Sequence, residues 1–174
     1  MDLPNPLERL TRNQLLDLIK MFSKNWLTVD GIWFTLVEDR YGLDTALDLD
    51  LKMWERNAII EAQRIKKCIG IPEGEGIKSV LNAIHFMTHA PSMPFEYSID
   101  GPDQAHFWFT RCRPQEGRGK AGRGEFPCKP MGLACYGGLA KIIDPIVKVE
   151  CVFCPPDDHP SDVWCKWRLT SNKR

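Results

Sequence analysis

The stretch Pro91-Ser92-Met93-Pro94-Phe95-Glu96-Tyr97-Ser98-Ile99-Asp100-Gly101-Pro102-Asp103 divides the chain in two. Before it, apolar residues recur every three to four positions; from Phe95 onward they recur every two. The first period lines one stripe of a helix and the second lines one face of a strand, so a helical half (1–91) gives way to a β-rich half (92–174). Asp100-Gly-Pro-Asp supplies a turn, and Gln104 to Cys112 reads as the returning strand of a hairpin.

Upstream, Thr11 with Gln14 forms a capping box opening a helix through Leu15, Leu16, Ile19 and Phe22. A second helix carries Trp26, Asp30, Trp33, Val37 and Tyr41, with Gly42 as its C-terminal stop. A third is expected over 50–68, with Trp54, Ala58, Ile65 and Cys68 on one stripe, and a fourth over 77–88. Downstream, 113–130 reads as a polar Gly/Arg/Lys loop, 130–143 as a helix, and 147–152 and 163–169 as strands. The expected fold is α+β: a helical bundle packed on a small, mainly antiparallel sheet with a Cys-rich C-terminal segment, in one domain over 1–174. A chain of 174 residues, 43% hydrophobic, is long enough for one sizeable core and short for two.

The balance of 23 basic and 23 acidic residues leaves no global field to attract nucleic acid. No run has the length of a membrane span, and Met1-Asp-Leu-Pro-Asn-Pro lacks a basic or apolar leader, so a cytoplasmic location is expected. A homodimer is compatible with all of this. Seven cysteines without a secretory signal point to ligating or core thiols rather than to disulfides.

The densest chemistry is Cys151-Val-Phe-Cys154-Pro-Pro-Asp-Asp-His159 followed by Cys165, with Cys112 and Cys128 upstream. C-x2-C with a nearby His and Cys is a spacing that wraps Zn2+, and six candidates compete here for about four places. Four closed ligands would staple the sheet; three and a water would make a hydrolytic site. Four of the cysteines could instead hold an iron–sulfur cluster, or the thiols could be buried as small hydrophobes.

A second constellation lies on the helices. Asp30 sits among Trp26 and Trp33, and Glu61 follows Trp54 and Ala58, so carboxylates fall on apolar stripes and need partners. Arg64 and His85 are the candidates. Trp26, Asp30, Trp33, Trp54, Glu61, Arg64 and His85 thus outline a pocket in which Asp30, Glu61 and His85 could do acid–base work. A packing network is the competing reading. The segment Arg111 to Gly124 lacks Walker spacing and interleaved aromatics, and reads as a solvated loop.

Asn25-Trp26, Asp30-Gly-Ile-Trp33, the 54–64 helix, Cys112-Arg, Phe126-Pro-Cys128-Lys, Ile143-Asp-Pro145, Cys154-Pro-Pro-Asp-Asp-His159-Pro and Cys165-x-Trp167 together resemble a family of small, uncharacterised cytosolic prokaryotic proteins. That family is distantly similar to the L-2-amino-thiazoline-4-carboxylic acid hydrolase-like proteins, which would imply hydrolysis of a small amide or heterocycle. Val149-Glu150, Cys154, Cys165 and Trp167 are more distantly similar to the 4-vinyl reductase domain, which would imply a small-molecule-binding α+β module. The expectation is a cytosolic protein that binds a metal, zinc before iron–sulfur, and an organic small molecule. A hydrolase and a redox sensor are the alternatives.

Overall fold

The computed structural model describes residues 5–72 and 74–171. Thr11 closes the expected capping box with Gln14, but the helix it opens does not stop at residue 22: α1 runs unbroken over Arg12–Tyr41. The two expected helices are one because no residue between them breaks it. Gly42, at φ +86°, turns the chain into α2 (Leu43–Ile65), which begins earlier than its aromatic stripe suggests. A short π turn follows, and then α3 (Ile77–Ile84), a turn at Ala90–Ser92, β1 (Phe95–Gly101), β2 (Gln104–Phe109), α4 (Arg113–Lys120), α5 (Lys129–Ile143), β3 (Val147–Phe153) and β4 (Cys165–Ser171).

The fold is α+β, with helices packed on a four-stranded antiparallel sheet ordered β1-β2-β4-β3. One face of that sheet turns to the helices. Phe107 pairs with Trp167, Trp167 with Cys151, and Ala105 with Leu169; Ala105, Phe107, Phe109, Trp167 and Leu169 are all buried. The opposite face carries polar cross-strand pairs: Arg168 on Glu150, and the Lys166 ammonium over Trp108. Alternation along the strands therefore does what the period of two implies.

α5 lies directly on the inner face. A Cβ at Gly132 would fall 2.3 Å from the Trp167 ring, and one at Gly138 2.9 Å from Ala58 of α2, so these two glycines set how closely the helix approaches the sheet on one side and α2 on the other.

The main correction concerns 113–130, where α4 takes the first eight residues of the expected loop. Its helix-poor composition is offset from outside. The buried Gln115 clamps Phe126, donating to its carbonyl at 2.9 Å and accepting from its N–H at 3.2 Å. Arg118 forms a two-pronged ion pair with Glu38 near the end of α1 (2.6 and 3.1 Å) and lies over the rings of Phe34 and Phe126. Arg123 joins Glu38 and Asp39. These arginines are committed to holding α4 against α1.

Candidate functional site: an apolar cavity beside a thiol cluster

Where α1, α2, α4 and α5 meet the sheet they leave a cavity of about 530 Å³. Leu27 and Phe34 come from α1, Trp54 from α2, Phe109 from β2, Met131 and Tyr136 from α5, and Trp167 from β4. The size and apolar walls suit a small organic molecule.

Polar groups enter at separate places. Asp30 and Asp50 line the cavity and also a smaller groove of about 230 Å³ between α1 and α2. Burial lifts Asp30 to about 6. Asp50 rises to about 7, chiefly through burial and then through repulsion from Asp30, while a hydrogen bond from Trp54 partly opposes the rise. Arg113 also lines the cavity, and its buried Nε has no hydrogen-bond partner among the described residues. His89 is wholly enclosed, edge-on to Trp54 and Tyr136, with Tyr136 Oη 3.5 Å from Nε2; burial drives it down to about 4, so its imidazole is neutral.

Sequence reasoning singled out His85, yet His85 is exposed and packs on Phe95 and Tyr97 away from the cavity. His89, one turn later, occupies the position. No periodic signal marks it. Asp50 had a signal, since it stands four residues before Trp54 on the stripe that continues to Ala58, Glu61 and Ile65.

Glu61 is buried as expected, but neither Arg64, which is exposed, nor His85 is its partner. Oε1 instead accepts from the N–H and hydroxyl of Thr88, both at 2.5 Å, and so fixes the turn that carries His89; Oε2 is buried without a partner among the described residues. Trp26 packs edge-on against Trp54, and Trp33 is 69% exposed beside the groove.

Cys112, Cys128, Cys154 and Cys165 lie where α4, α5, β3 and β4 begin or end. Cys112, Cys128, Cys135 and Cys165 line the cavity. Behind Cys128, the Cys151 and Cys154 sulfurs are 3.4 Å apart, and the Cys154 thiol donates to Cys128. That hydrogen bond favours thiolate at Cys128 and disfavours it at Cys154. Burial pushes Cys112 up, and Cys165 to about 12; the Cys165 sulfur accepts from Trp167 Nε1 at 3.3 Å. His159 is turned elsewhere. Its ring lies tilted against Trp164, with Nδ1 3.0 Å from the Pro160 carbonyl oxygen and Nε2 3.5 Å from Glu125. Among the described residues no group of three or more His, Cys, Asp or Glu is disposed to hold a metal ion.

The model of DUF6125, a family of unknown function, matches residues 8–171. The chain belongs to that family. No curated protein and no solved structure matches this DUF6125 member, and neither the thiazoline hydrolase-like proteins nor the 4-vinyl reductase domain emerges from the comparisons. Among its described residues no helix is long and apolar enough to cross a membrane.

Proposed function

We propose that this protein binds a small, largely apolar organic molecule with a cationic or hydrogen-bond-donating end in the cavity between α1, α2, α4, α5 and the sheet. The observation that carries the reading is an apolar cavity of about 530 Å³ into which Asp30 and Asp50 bring two carboxyl groups that burial, and for Asp50 repulsion from Asp30, push upward. Trp54 and Tyr136 would stack on the apolar body, and the carboxylate pair would take the amine. Benzylamine is a suitable probe, followed through tryptophan fluorescence. Gly31 lines the cavity and has open space around a Cβ placed there, so Gly31→Phe sends a ring from that position to occupy the site. Saturable quenching in the wild type and its loss in Gly31→Phe are expected. Equal responses from both proteins, or no saturation in either, would assign the cavity to packing alone.

A second reading rests on the contact among Cys128, Cys151 and Cys154. Deprotonated, these thiols are a soft donor set suited to Zn2+; with Cys112 or Cys165 as a fourth ligand the ion would staple the sheet, and with a water in that place it would supply a Lewis acid for hydrolysis beside the cavity. Mass spectrometry of metals in protein purified without tag or chelator should find about one zinc per chain, lost in Cys154→Ser and kept in Cys68→Ser. Metal-free wild type sinks this reading, and a visible absorption band with iron replaces it with a cluster.

A further inference from the structure

α1 carries a second apolar stripe that stands largely exposed, with Val29 and Trp33 flanking the groove it forms with α2. Leu15, Ile19, Phe22, Val29, Ile32 and Leu36 are all exposed, Val29 by 68%, and with Trp33 they lie within an arc of about 140° at 3.6 residues per turn. Of the core-facing residues, Ser23 and Leu27 lie outside this arc, and Val37 lies at its edge, in line with Ile19. A helix in water does not ordinarily carry two apolar stripes, so the second one needs an occupant.

The stripe is its own complement. Leu15 and Leu36, Ile19 and Ile32, and Phe22 and Val29 are each equidistant from the midpoint between residues 25 and 26. An antiparallel copy of α1 whose two-fold axis passes through that midpoint sets each residue against its counterpart, as an isologous interface requires. The exposed apolar area is on the order of 700 Å² per copy, so a pair would bury about 1,400 Å², within the range of stable dimers. We infer that the protein is a homodimer paired antiparallel through α1. Ile32 and Leu36 belong both to this seam and to the cavity lining, so the partner's helix would border the cavity mouth.

Sedimentation equilibrium of the full chain, under reducing conditions and across the micromolar range, should give a dimer. Phe22→Glu and Val29→Glu should each raise the dissociation constant by roughly 100-fold or more, with far-ultraviolet dichroism unchanged. Register is read by cross-linking in a Cys68→Ser background, which removes the exposed native thiol. Asn25→Cys, next to the axis, should link to itself on oxidation. Ile32→Cys should link only when mixed with Ile19→Cys. A wild type that stays monomeric, a dimer indifferent to both glutamates, or Ile32→Cys that links to itself as readily as Asn25→Cys would overturn the inference. A monomer that binds phosphatidylcholine vesicles would give the stripe to a lipid surface instead.

Discussion

Two carboxyl groups and one imidazole set the pH response of the interior, and they act in opposite directions. Asp30 and Asp50 titrate above the ordinary carboxylate range in the folded protein, so the stability that goes with their protonated forms is complete in acid and declines as pH rises through about 6 and about 7. His89 titrates low, so its contribution is complete above the free imidazole value and declines as pH falls toward about 4. Asp50→Asn removes one alkaline cost and leaves the acid one. It should make the protein more stable than wild type at about pH 8, on the order of 1–2 kcal/mol, with the gap closing near pH 4. Urea denaturation at the two pH values measures the difference, and a gap independent of pH would mean that Asp50 is solvated.

Helical elements were legible where their signals are local. The Thr11–Gln14 box, the aromatic stripe of α2 and the 100–103 turn each lie within a few residues, and each marks an element that is there. α4 was not legible because what holds it, Glu38 on Arg118 and Phe126 on Gln115, is distant in sequence or lies beyond its end. The reach of α1 is hidden for the opposite reason, since its two apolar stripes each read as a helix of their own. Glycines in helices separate packing from propensity. Gly31 meets nothing within 4 Å, so Gly31→Ala should stabilise by about 0.5–1 kcal/mol. Gly132→Ala gains the same propensity but drives a methyl into Trp167, and should cost about 2–3 kcal/mol net. Thermal unfolding of the pair decides it: two variants of like sign would mean that α5 does not press on the sheet.

At the scale of the whole molecule, the α+β class followed from one change of period, whereas the site did not. Cys112, Cys128 and Cys165 stand at the starts of α4, α5 and β4 and line one cavity because α4 and α5 are inserted between β2 and β3. Spacing along the chain grouped Cys151, Cys154, His159 and Cys165, but the fold substitutes Cys128 for His159, which the Trp164 ring and the Pro160 carbonyl oxygen hold apart. β4 carries a further consequence. It is the last strand of the described chain, yet it occupies an inner place in the sheet, between β2 and β3. During synthesis the β1–β2 hairpin therefore emerges with the inner edge of β2 unpaired, and both that edge and β3 wait for residues 165–171 before they are sealed. A nascent chain paused short of that strand would present open edges and the bare faces of Phe107 and Phe109, the surfaces that chaperones shield and that aggregates grow from.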